Sequence, residues 1–206
     1  MIVRRIVLAL FLMIVPGFAV SAQAATDPDA AATFIDGLGK QAFSTLQQEN
    51  MSLAEREAAF GSILRQGFDL NLIGRFVLGK HWRRASPEQQ ADYLAVFSDF
   101  VIKTYARRLG GFSGQSFTIT GTKHSGEKKD VMVATRIDRP SGPPIGAAWR
   151  VREIDGQLRI IDVVIEGVSM AVTQRQEFSS VTQRGGIEGL VQVLRAQTQR
   201  LSASAG

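Results

Sequence analysis

The run AAWRVREIDGQLRIIDVVI, residues 147–165, decides the fold. Its first seven residues form a strand, Asp155-Gly156 is a strong two-residue hairpin signal, and the β-branched stretch beyond it answers as the returning strand. A two-residue turn places Trp149 opposite Asp162 and Val151 opposite Ile160 on one side of the hairpin. Arg150, Arg152 and Arg159 share the other. The Trp149 side is expected to meet the rest of the protein and the arginine side to be wetter, although Ile161, Val163 and Ile165 call for partial cover there. Asp162 sits mid-strand between Ile160 and Val164, where an unpartnered carboxylate is costly to bury, so it needs a partner.

Moving outward, the Pro- and Gly-rich loop Pro140–Gly146 separates this hairpin from an earlier pair of strands. In one, Val131, Val133, Thr135 and Ile137 alternate with Met132, Ala134, Arg136 and Asp138; in the other, Phe117 and Ile119 alternate with threonines. Together the four segments predict an antiparallel meander.

Before Gly114 the apolar period is helical. Asp27-Pro28 opens a helix that keeps Phe34, Ile35, Leu38, Ala42 and Leu46 on one face. Ser52 with Glu55 is a capping box for a second, which carries Leu53, Phe60, Ile63 and Leu64. Asp69 caps a third, apolar almost all round and expected to be buried, with Phe68 and Ile73 placed to staple its entry. A long fourth helix starts at Ser86-Pro87 with Gln89 and runs to about Leu109, bearing the stripe Tyr93, Leu94, Phe97, Phe100, Val101 and Tyr105. Helices beginning near Ser169 and Gly186 close the chain, the last with Ile187, Leu190, Val191 and Leu194 at i, i+3, i+4, i+7 spacing. Residues 202–206 are small and polar enough to fray. With no internal repeat or linker, the chain reads as one α+β unit.

Residues 1–24 read as a cleavable signal peptide. Arg4 and Arg5 precede an apolar run from Ile6 to Val15, Pro16-Gly17 breaks it, and Ala22-Gln23-Ala24 is a small-x-small cleavage pattern. The run is short of the roughly 20 residues that span a bilayer. The mature domain, 25–206, is therefore expected outside the cytosol and soluble. Losing Arg4 and Arg5 leaves 22 basic against 19 acidic residues, a mild +3. Basic clusters at His81–Arg84, Arg107-Arg108 and Lys128-Lys129 suit solvated faces, anionic headgroups or an acidic partner, and export argues against nucleic acid. The absence of cysteine excludes thiol catalysis, thiolate metal sites and redox exchange.

Other catalytic signatures are missing too. His81 and His124 have no metal-ligand spacing, the sequence around Ser113 lacks a nucleophile elbow, and no glycine pattern cradles phosphates. No metal, cofactor or catalytic residue is expected. Asp162 is the one candidate for a general acid or base, at the floor of a cavity in a small isomerase- or dehydratase-like enzyme.

Several strings converge on a known family. Residues 73–82 (IGRFVLGKHW), 86–90 (SPEQQ), the aromatic helix through Tyr105, and above all 165–170 (IEGVSM) followed by Gln174-Arg175 and Glu177-Phe178 resemble the MlaC, or toluene-tolerance, family over about Phe34 to Arg200. The resemblance implies a periplasmic phospholipid carrier, an auxiliary component of an ABC transport system, whose partners are an outer-membrane lipoprotein complex and an inner-membrane ABC transporter. A hopanoid-associated branch shares the pattern. The implied fold is helices packed on one face of a twisted four-stranded antiparallel sheet, an NTF2-like or cystatin-like arrangement, with an apolar cavity between. From register and helix faces the expected acyl-chain lining is Phe76, Phe97, Val101 and Tyr105 from the helices with Val133, Trp149, Val151 and Val164 from the sheet, and Val151→Trp is expected to block it.

Overall fold

The computed structural model describes residues 25–46, 48, 51–109, 116–126 and 129–203. Residues 1–24, expected to be a signal peptide, Gly110–Gln115, Lys128 and residues 204–206 lie outside them, as do the side chains of Leu46, Leu53, Arg107 and Arg108.

Four helices come first: α1 (Pro28–Leu46), α2 (Leu53–Gly67), α3 (Leu70–Leu78) and α4 (Pro87–Leu109), with a 3-10 helix over Gly79–Arg84. Their starts follow the capping residues. The Asp27 carboxylate accepts from the Ala30 N–H at 2.8 Å. Ser52 and Glu55 form the reciprocal capping box, Asp69 accepts from the Leu72 N–H, and Ser86 exchanges bonds with Gln89. Five antiparallel strands follow in sequential order, β1 (Ser116–Ser125), β2 (Asp130–Asp138), β3 (Ile145–Ile154), β4 (Gln157–Ile165) and the two-residue β5 (Val168–Ser169). The extra strand was not expected. It arises because Glu166 and Gly167 both take positive φ, turning the chain tightly back on β4. A final helix, α5 (Met170–Ala203), runs through residues expected to fray at 202 and 203 and is broken at Gly186 (φ 68°, ψ −169°), giving the two anticipated segments.

Asp155 and Gly156 turn the β3–β4 hairpin as expected, both with positive φ. Val151 pairs with Ile160, but the next pair is Arg150 with Asp162, so Ile161 is an extra residue in β4. This bulge corrects the register: Trp149 lies opposite Val163, not Asp162. Because alternation is strict, one inserted residue moves Asp162 and Val164 onto the arginine face and Val163 and Ile165 off it.

The two faces then differ in kind. The core face carries cross-strand rows Val131–Val151–Ile160, Val133–Trp149–Val163 and Thr135–Ala147–Ile165. Val131, Val133, Val151 and Ile160 are buried beneath Ala31 and Ile35 of α1, with Phe68 packed at the edge. Thr135, also buried, accepts from the indole N–H of Trp149 and donates to the Ala147 carbonyl. The arginine face carries the rows Asp130–Arg152–Arg159, Met132–Arg150–Asp162 and Ala134–Ala148–Val164.

A second core lies among the helices. Val77 and Leu78 of α3, Tyr93, Val96 and Phe97 of α4, and Ala171, Phe178, Ile187, Leu190, Val191 and Leu194 of α5 form one buried cluster. Tyr93, Phe97 and Phe178 meet with ring centroids 5.7–6.5 Å apart. The α3–α4 contact is close because Gly74 has no Cβ: one built there would stand 2.8 Å from Leu94 and 3.0 Å from Phe97. A third, small cluster of Phe60, Leu64, Leu70 and Ile102 joins α2, α3 and α4. Phe68 touches both this cluster and the core face, and its backbone pairs with Ile160 on the outer edge of β4. β5 covers the other end of that edge. The opposite edge is β1, where Thr120 is bulged out of the ladder and residues 120–124 are exposed.

Candidate functional site

The arginine face is neither buried nor open. Met132, Ala134, Ala148, Arg150, Arg152, Asp162 and Val164 are all intermediate in exposure, yet no strand residue belongs to the buried helical cluster. Two helices partly roof this face. At β4, Asp162 accepts from the Ser169 hydroxyl (2.6 Å), the Val163 N–H (2.8 Å) and the Ala171 N–H (3.1 Å), fixing the start of α5 to the sheet. Ser169 in turn accepts from the Val172 N–H as an N-cap. Glu166 accepts from the Gly146 N–H at 2.6 Å, tying the β4–β5 turn to β3. At β3, the N-terminal half of α3 stands across a cleft of about 450 Å³ lined by Asp69, Asn71, Leu72, Arg75, Lys129, Arg152, Glu153 and Ile154.

Charge is organised around one buried carboxylate. Asp130, 3% exposed at its side chain, accepts from Arg152 Nε (2.6 Å) and Nη2 (3.0 Å) and from Arg150 Nε (2.8 Å). Arg150 also donates to Ser125 at 3.3 Å. The hydrogen bond to Asp130 raises the pKa of Arg152 further above its already high ordinary value. Nearby, Arg75 stacks over Trp82 at 5.3 Å and Arg175 over Phe76 at 5.0 Å. His81, expected on the surface, is half-buried with Nε2 shut away from any partner; burial, then Lys80 and Arg84, lower its pKa.

The eight expected lining residues do not share one cavity wall. Val133, Trp149 and Val151 belong to the core face under α1, the first and last fully buried. Phe97 is locked in the helical core between Tyr93 and Phe178. Val101 and Tyr105 pack where the helical clusters meet. Phe76 is 43% exposed, so α3 is less enclosed than its composition implied: it buries Leu70, Gly74, Val77 and Leu78 and turns Arg75 and Phe76 outward. Val164 alone among the sheet candidates lies on the half-roofed face, put there by the bulge. Ala134, Ala148 and Asp130 escaped sequence reasoning, since small residues at outward positions look like ordinary surface. The signal present was the run Ile160–Ile165, apolar on both parities, which a regular two-faced strand does not need.

As for other chemistry, no group of three His, Asp or Glu side chains among the described residues is placed to hold a metal. No helix among them is long and apolar enough to cross a membrane.

Helices on a twisted, open antiparallel sheet, with a half-covered apolar row and, farther along the same face at Arg152, a cleft lined by charged residues, make this an α+β domain with one sheet face left partly open. Residues 37–196, most of the chain, match the family model described as MlaC protein, and the protein belongs to the MlaC family. It is 24% identical over 156 residues to the intermembrane phospholipid transport system binding protein MlaC of Haemophilus influenzae, covering 72% of this chain and 73% of that one. It is 23% identical over 129 residues to the toluene tolerance protein ttg2D of Pseudomonas putida, covering 62% of this chain and 60% of that one. The fold is also that of a phospholipid-binding protein from Ralstonia solanacearum solved in complex with a phospholipid, with a TM-score of 0.75, 22% identity, and 84% of this chain and 98% of that chain covered.

Proposed function

We propose that this protein is a periplasmic phospholipid carrier that passes lipid between an outer-membrane complex and an inner-membrane ABC transporter. In it the acyl chains lie over the Ala134–Ala148–Val164 row, between the arginine face and the starts of α3 and α5. The observation that carries this reading is that row itself: three small or apolar residues, half-buried, on a face that the helical core does not join. Membership of the MlaC family and the phospholipid transport system to which its Haemophilus influenzae relative belongs support it.

The physics of the cargo favours an enclosed carrier. Each methylene exposed to water costs about 0.8 kcal/mol, so releasing two chains of about 14 buried methylenes each into solvent costs on the order of 20 kcal/mol. Exchange becomes nearly balanced only when an apolar cleft replaces the bilayer, so loading and unloading need direct contact with a membrane protein. The enzyme reading through Asp162 loses its motive, because both oxygens of that carboxylate are engaged in holding α5.

Mass spectrometry of lipid extracted from the purified protein, with native mass of the intact complex, tests the proposal. Stoichiometric phospholipid is expected, and Ala148→Trp is expected to remove it while the far-ultraviolet circular dichroism stays unchanged. A hopanoid in place of phospholipid would correct the cargo, and unchanged lipid content in Ala148→Trp would refute the proposed path.

A further inference from the structure

The geometry points to a binding subsite for a phosphate-ester anion at the end of the apolar row, built from Arg150 and Arg152 on their buried Asp130 and completed by Arg75 across the cleft. Two facts make this more than a basic patch. First, one carboxylate holds two guanidinium groups, so the trio carries an uncompensated positive charge, and Asp130 fixes both forks in place through three hydrogen bonds. The two arginine side chains nonetheless remain 39% and 34% exposed, while Asp130 is sealed beneath them. A buried anion that orients exposed cations is pre-organisation for a second anion, and Arg152 is itself part of the cleft wall.

Second, register places this charge beside the apolar row. Ala148, Arg150 and Arg152 are successive residues on the same face of β3, each about 7 Å from the next. A ligand with its chains over Ala148 and Val164 therefore has two guanidinium groups ahead of it on the same face of the strand, at the end where its headgroup would lie. Of the carboxylates lining the cleft, Asp69 is engaged with the Leu72 N–H. Arg75, Lys129, Arg150 and Arg152 against Asp69, Asp130 and Glu153 leave one positive charge in excess. The matching chemistry is a singly charged phosphate group, whether the diester of a phospholipid headgroup or free dihydrogen phosphate. The headgroup source rests on the carrier reading.

The test compares phosphatidylglycerol with diacylglycerol of identical chains, each exchanged into delipidated full-length mature protein, and separately titrates inorganic phosphate by calorimetry. The native protein is expected to favour phosphatidylglycerol, and Arg152→Gln to cut that preference about tenfold, the size of one charge-assisted hydrogen bond, with diacylglycerol uptake unchanged. Because Arg150 still pairs with Asp130, the variant keeps the buried carboxylate partnered; Arg75→Gln, outside that trio, is a second variant expected to act in the same direction. Variant-sensitive binding of inorganic phosphate without a lipid preference would assign the subsite to free phosphate. Equal preference in native protein and both variants, with no phosphate binding, would overturn the subsite while leaving the carrier reading intact. Uptake of neither lipid would refute the carrier reading instead.

Discussion

Replacing one oxygen of Asp162 with an amide is expected to loosen the start of α5. Asp162→Asn keeps the shape but loses an acceptor among the three donors from Ser169, Val163 and Ala171. The expected cost is about 1–2 kcal/mol, seen as a lower urea midpoint at unchanged slope. Glu55 makes a prediction in pH. Its hydrogen bonds from the Ser52 hydroxyl and N–H hold its carboxyl below the ordinary value of 4.5, so the folded state favours the charged form. That stabilisation is complete above the unfolded value and fades as pH falls through the lower folded one. Glu55→Gln should therefore flatten the acid limb of a stability-versus-pH curve followed by urea midpoints; an unchanged limb would show that the box contributes nothing measurable.

At the scale of elements, Gly74 fixes how closely α3 and α4 approach. Gly74→Val drives side-chain carbon into Leu94 and Phe97 and is expected to cost about 1–3 kcal/mol by thermal denaturation, with Gly74→Ala intermediate. Tyr93, buried with its hydroxyl donating to the Gly74 carbonyl at 3.0 Å, sits in the same contact, and burial pushes its pKa up. Elements were legible where a local rule acts alone. Ser52, Asp69 and Ser86 announced helix starts because their side chains satisfy N–H groups within three residues, and Asp155-Gly156 announced its turn because few other pairs accept two positive φ angles. The bulge at Ile161 follows no such rule: it is imposed by what packs on each side of β4, and it alone moved Asp162 and Val164 to the opposite face. β5 was hidden for a similar reason, its two residues being defined by pairing, not by pattern. The aromatic stripe of α4 was read correctly as a face, but sequence could not say whether core or cargo fills the space before it; Phe178, 81 residues beyond Phe97, does.

The molecule as a whole has two main cores, a sheet under α1 and a helical core of α3, α4 and α5, linked by α2, by Phe68 and by the start of α5. This division predicts opposite outcomes for tryptophan on the two faces of β3. Val151→Trp enters a fully buried position on the core face and is expected to destabilise or unfold the protein, correcting its use as a cavity block. Ala148→Trp enters the half-roofed row and is expected to leave the thermal midpoint within a few degrees of the native one. Comparing the two melting curves separates core from cleft without any ligand. The sheet's margins carry a different consequence. Phe68 and β5 occupy the outer side of β4, and the remaining margin, β1, is interrupted at Thr120 and carries Lys123. Copies of this chain crowded into a small volume are thus denied a long, flat ladder on which to stack, and their sheets are expected not to grow into one another as fibrils.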